Sequence, residues 1–205
     1  MKVLLRLGYS SFCIGLAYVG LSPDPWAFFP YHPVLMTVAY LALTTEGLLS
    51  ARHMLSGSKA SNVLVHVSAQ VLGIVSSLVG FAVIYIDKER RTKPHFLSWH
   101  ALAGLSTVTL SIVQLFFGLY LYNFSSFCSL KGREKIARLV AVRLTHRIIG
   151  ISTFIMGLLS LALGFHTNYA HYIGLPVLQS SLLVAAVAAI SLVYFYYPPS
   201  SDPPQ

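Results

Sequence analysis

The sequence predicts an all-α membrane protein of six transmembrane helices, and its composition and the spacing of its apolar stretches are what predict it. Among 205 residues, 56% are hydrophobic and 10% charged, whereas soluble domains carry about 25% charged residues. Mean hydropathy is +0.70, more apolar sequence than a single soluble core absorbs. The apolar residues gather in stretches near the length, about 20 residues, that a helix needs to cross the hydrocarbon.

Those stretches cover residues 3–21, 32–49, 63–86, 96–124, 139–165 and 172–197, with most prolines, charges and small polar residues between them. The connections are short, so residues 1–197 read as one domain. The tail, residues 198–205 (PPSSDPPQ), lacks the apolar content to order itself. Lys2 and Arg6 ahead of a modest apolar run also resemble a signal peptide. A retained first helix is the reading adopted here, and both readings leave the N-terminus on the same side.

The net charge of +8 does not point to nucleic acid, because the basic residues sit in short runs between apolar spans without interleaved aromatics. They read instead as topology signals. With six spans, one face receives Lys2, Arg6, Arg52, Lys59, Lys131, Arg133, Lys135, Arg138, Arg143 and Arg147, and the other receives Lys88, Arg90, Arg91 and Lys93. The first face is expected to be cytoplasmic, with both termini on it. The sequon at Asn123 falls on that side and should carry no glycan. Trp26, Phe28, Phe29, Tyr31, Trp99, Tyr194, Tyr196 and Tyr197 stand at the span ends as interface anchors. Cys13 and Cys128 form no CxxC pair and no CxxCH occurs, so neither a cysteine metal site nor thioether-bound haem is expected.

His32, His66, His100 and His146 each lie near the N-terminal end of a span, the second to the fifth. Successive spans run in opposite directions, so His32 and His100 belong near the outer face and His66 and His146 near the cytoplasmic face. Depth therefore pairs His32 with His100 and His66 with His146. Ionisable side chains inside a membrane usually mark function, and two imidazoles at one depth can fill both axial positions of a haem iron. The two levels would lie on the order of 20 Å apart. Gly104, Gly150 and Gly73 follow His100, His146 and His66 by four, four and seven residues, on the same helix faces. Gly47, Gly80, Gly118 and Gly164 fall near the opposite level. Small residues there make room for a flat macrocycle, or else for close helix packing. Two ligands at each depth do not make a zinc site.

At these residues the chain resembles the cytochrome b-561 family, in its branch of cytochrome b-561 domain-containing proteins 1 and 2. Three segments carry the likeness: Phe29-Pro-Tyr-His32-Pro-Val-Leu-Met36 with Thr45-Glu46-Gly-Leu-Leu49, then Pro94-His95-Phe-Leu-Ser-Trp-His100, then Arg143-Leu-Thr-His146 followed by Gly150. The resemblance implies two haems b held by the four histidines in a four-helix core. It implies cytoplasmic ascorbate as donor and monodehydroascorbate or ferric iron as acceptor, so a transmembrane reductase. It also implies an endoplasmic reticulum or vesicle membrane and allows a homodimer. The family's lysine-rich approach to the second histidine is reduced here to Lys59, with Asn62 and apolar residues following.

Further candidates lie around these levels. Arg138, Arg143 and Arg147, with Lys59 and Arg52, would orient an anionic donor or haem propionates, or simply follow the positive-inside bias. His95 would contact the acceptor, or be a solvated loop residue. His166 and His171 are candidates for ferric iron or another metal, without a recognised motif. Glu46 would carry protons, support the inner haem, or reach water and Arg52. No nucleophile, general acid or phosphate loop is evident. The rival readings are a haem-binding subunit that hands electrons to a partner protein, and a haem-dependent sensor.

Overall fold

The computed structural model describes residues 2–21, 27–51, 58–123 and 132–196, with side chains from 6 to 189. Trp26, Arg52, Cys128, Lys131, Tyr197 and the tail lie outside the described residues, as do the side chains of Lys2, Tyr194 and Tyr196. The described elements are α1 (Lys2–Leu21), α2 (Tyr31–Ala51), α3 (Lys59–Arg90), α4 (Trp99–Tyr122), α5 (Gly132–Gly164), a short α6 (Asn168–Tyr172) and α7 (Val177–Tyr196).

Four of these, α2 to α5, are long and apolar enough to cross a membrane. Two span bounds are corrected. The last stretch, read as 172–197, is broken after Tyr172, where Gly174 takes a left-handed φ of +66° and Pro176 precedes α7. The fifth, read from 139, begins at Gly132, so α5 continues outside its apolar part through Arg133, Glu134 and Lys135. Serine caps start two helices: the Ser58 hydroxyl accepts from Ser61 N–H and the Ser98 hydroxyl from Ala101 N–H. Lys88 and Arg90 close α3 in its last turn, where cations favour the helix dipole.

Polarity is arranged for lipid rather than water. Leu64, Leu72, Val75, Val79, Phe116, Ile148 and Leu159 face outward, while Thr37, Thr45, Ser77, Thr107, Ser111, Thr153 and Ser160 are buried. Small hydroxyl residues let the helices approach, and Thr107, Ser111 and Thr153 return their protons to carbonyls four residues back. α2 packs on α3 and α4 on α5, the two pairs closing into a four-helix bundle against which α1 and α7 lie.

α2 is not uniformly α-helical. Residues Val38–Leu43 form a π turn, in which the Ala39 carbonyl accepts from both Thr44 N–H and the Thr44 hydroxyl. Such a turn inserts one extra residue and shifts every later residue's phase by one position. Gly73 of α3 packs against this turn, where a Cβ would lie 3.4 Å from the Ala39 carbonyl. Gly73 thus meets helix backbone, not an open face beside His66.

Candidate haem-binding site

Three of the four candidate histidines are fixed by bonds between paired helices. His32 of α2 donates from Nδ1 to the Gly80 carbonyl of α3, at 2.9 Å. His66 of α3 donates from Nδ1 to the Gly47 carbonyl of α2, at 2.7 Å. His100 of α4 donates from Nδ1 to the Ser160 carbonyl of α5, at 2.9 Å. A carbonyl only accepts, so each of these three rings carries a proton on Nδ1, and in the neutral imidazole Nε2 is then the nitrogen with the free lone pair. Metal-ligating histidines are oriented by this kind of outer bond. The Nδ1 of His146 is buried without such a partner.

The rings meet in two pairs. His32 and His100 have centroids 6.1 Å apart and planes at 85°; His66 and His146 are 6.3 Å apart at 82°. These are the pairs that depth alone selects. Along α2, His32 at one level is separated by 15 residues from Gly47 at the other, or about 20 Å at 1.5 Å per residue.

The glycines divide by what they face. A Cβ on Gly164 would lie 3.2 Å from Cε1 of His100, and one on Gly118 3.6 Å from Cε1 of His146. Gly104 lines the outer cavity beside His100, and Gly150 faces Gln114, whose Nε2 would lie 3.3 Å from a Cβ there. Gly47 and Gly80 act through their carbonyls, a use that residue type alone does not announce.

A cavity of about 400 Å³ opens at the outer level, lined by both rings there, His32 and His100. Lys88, Lys93 and His95 line it too, so His95 does stand beside the outer pair. His95 stacks on Tyr85 with centroids 4.5 Å apart and donates from Nε2 to a Glu89 carboxylate oxygen at 2.9 Å. Phe96, at a left-handed φ of +55°, stacks on Phe81 and lines the same cavity. From sequence Lys88 and Lys93 read only as topology charges and Tyr85 carries no signal, because their wall forms only when α3 and α4 come together.

At the inner end, Lys59 opens α3, and Arg138, Arg143 and Arg147 project from α5, all four exposed. Glu46 takes Arg6 of α1 as its described partner, in a two-pronged pair at 2.6 Å for each prong. The Tyr9 hydroxyl donates to the same carboxylate. His166 and His171 are exposed, and among the described residues no group of three or more His, Cys, Asp or Glu is placed to hold a metal ion.

The model of the eukaryotic cytochrome b561 family matches residues 31–171, which hold all four histidines. The chain belongs to the cytochrome b561 family. A bovine relative, transmembrane reductase CYB561D2, is 32% identical over 165 residues, 78% of this chain and 69% of that protein. Its human counterpart is also 32% identical, over 167 residues and the same shares. A maize protein named ascorbate-specific transmembrane electron transporter 2 is 23% identical over 137 residues, 67% of this chain and 55% of that one.

Membership in the cytochrome b561 family implies b-type haem, and the residues present fit it. Imidazole–metal bonds of about 2.0–2.1 Å on either side set two ring centres roughly 6 Å apart where a nitrogen of each ring faces the metal. The two pairs stand at 6.1 and 6.3 Å. Three of the four rings carry the Nδ1 proton that a histidine ligating through Nε2 has, and the glycines beside His100 and His146 leave those rings unobstructed.

Proposed function

We propose that this protein is a transmembrane diheme b-type cytochrome. It takes electrons from ascorbate on the cytoplasmic side and reduces monodehydroascorbate or ferric iron on the other. The carrying observation is the spacing of two imidazole pairs, with ring centres 6.1 and 6.3 Å apart, at two levels of one bundle. His32 and His100 would hold the outer haem, His66 and His146 the inner one. Each haem b, when bound, supplies a reversible one-electron couple.

The chain's own residues do the rest. Nδ1 bonds to Gly80, Gly47 and Ser160 fix ring orientation and raise the basicity of Nε2. Outward-facing apolar side chains suit the bundle to a lipid surround. Lys88, Lys93 and His95, on the cavity beside His32 and His100, would draw an anionic acceptor. Lys59, Arg138, Arg143 and Arg147 would do the same for ascorbate at the inner end. The maize relative's name supports ascorbate as donor. The excess of basic residues at the inner end supports cytoplasmic termini, and the family resemblance supports an endoplasmic reticulum or vesicle membrane.

The test is haem quantitation with reduced-minus-oxidised spectra on His→Ala variants at each position. Two haems are expected in the unmodified protein and one in each variant, with His32→Ala and His100→Ala sharing one spectrum and His66→Ala and His146→Ala the other. Any other grouping, or a protein without porphyrin, rejects the reading.

A further inference from the structure

The anchoring carbonyls obey a numerical rule. Gly80 lies 14 residues after His66 on its helix, and Ser160 lies 14 after His146. Gly47 lies 15 after His32, and the π turn of α2 accounts for the extra residue. α2, α3 and α5 thus each offer, at one fixed offset from their own histidine, a carbonyl to the histidine of their pair. The one acceptor not made is the one His146 should find on α4, and the rule puts it 14 residues after His100, at Gln114.

Gln114 differs in size from the other three. Gly47 and Gly80 have no side chain, and Ser160 has one small enough for its Oγ to donate to the His100 carbonyl at 3.3 Å while its own carbonyl takes His100 Nδ1–H. Gln114 makes the matching side-chain bond, from Nε2 to the His146 carbonyl at 2.7 Å. That bond fixes which way the amide faces, since the carbonyl only accepts. It leaves Oε1 buried and without a partner, and His146 Nδ1 is buried and without a partner in the same helix pair. One is an acceptor and the other, in the tautomer that frees Nε2 for iron, a donor; buried polar groups are seldom left unmatched.

We propose that Gln114 is a positioning residue for the inner haem, its Oε1 supplying, directly or through one bound water, the acceptor for His146 Nδ1–H. This rests on the diheme reading above. Three of the four axial histidines are then oriented by backbone, which no side-chain substitution removes, and His146 alone by a side chain. The inner haem is accordingly the one whose affinity and potential a single outer-layer substitution can change.

Gln114→Leu and Gln114→Ser separate this from simple packing. Leu keeps the bulk and removes the acceptor. Ser is what the rule finds at position 160, and its small side chain lets the backbone carbonyl or a water reach Nδ1. In the purified holoprotein, Gln114→Leu should weaken inner-haem retention by about 10–100-fold or move its midpoint potential upward, because a less basic imidazole stabilises ferric iron less. Gln114→Ser should stay near the unmodified protein on both readouts, and the outer haem of the same molecule reports whether each variant is folded. A role in packing alone predicts the reverse order, with Leu tolerated and Ser damaging. That order, or a Leu variant whose two haems titrate as in the unmodified protein, overturns the proposal. An unmodified protein without two haems overturns instead the reading beneath it.

Discussion

Gly164 and Gly118 stand against the rings of His100 and His146, but they do not leave the same room. A Cβ at 164 would lie 3.2 and 3.3 Å from two ring atoms, which requires His100 to move, whereas 3.6 Å at 118 is ordinary contact. Gly164→Ala is therefore expected to lower haem content at the outer level or shift that haem's spectrum, and Gly118→Ala to leave the inner one unchanged. Haem-to-protein ratios with low-temperature difference spectra measure both, and equal effects would contradict the ring placement. Gly157 serves packing instead: a Cβ there would meet Tyr40 at 2.9 Å and Thr107 at 3.2 Å, on two other helices. Gly157→Ala should cost about 1–3 kcal/mol in thermal unfolding. At this scale the sequence shows which glycines share a face with a histidine, but not what each face meets. Gly73 and Gly104 look alike in sequence, yet one packs on the Ala39 carbonyl and the other lines the outer cavity. The difference is made by the neighbouring helix, which no offset within one helix contains.

Helix by helix, antiparallel alternation and 1.5 Å per residue are enough to place all four histidines at their depths, and so the ring pairs were legible before any coordinates. The π turn of α2 was not. Val38–Leu43 is an ordinary apolar run in sequence, and the phase shift it introduces is what brings Gly47 round to His66. The partner of Glu46 was equally hidden, because Arg6 is 40 residues away on α1. That contact, joined by Tyr9, ties α1 to the turn carrying the Gly47 carbonyl. Arg6 and Glu46 are both partly exposed, so the pair should contribute on the order of 1 kcal/mol. Arg6→Ala and Glu46→Gln are each expected to lower thermal stability by about that amount, and the double variant by hardly more, since both remove one interaction. Both haems should remain, because His66 keeps its backbone anchor. Additive losses would mean that the two side chains act separately and that α1 is held elsewhere.

Across the whole molecule, the proposed relay depends on two carriers stacked between opposite faces and on which face is which. The basic residues flanking α1, α3 and α5 at one end are what support the proposal that this end faces the cytoplasm, and positive-inside bias needs no structure to be read. The organisation of the outer cavity does need one, since Lys88, Lys93 and His95 come together only through the turn between α3 and α4. If the outer pair communicates with that cavity and the inner pair with the donor, loss of either pair should break transfer across the bilayer in a different place. In vesicles with ascorbate enclosed on the cytoplasmic side and ferric chelate outside, the unmodified protein should reduce the chelate. His100→Ala should retain one haem that enclosed ascorbate still reduces, while outside chelate fails to reoxidise it. His66→Ala should retain one haem that outside chelate oxidises and enclosed ascorbate cannot reduce. Spectra of the retained haem under each addition separate these cases. If both variants respond to the same side, the two levels do not divide the membrane between them, and the protein is not a transmembrane relay.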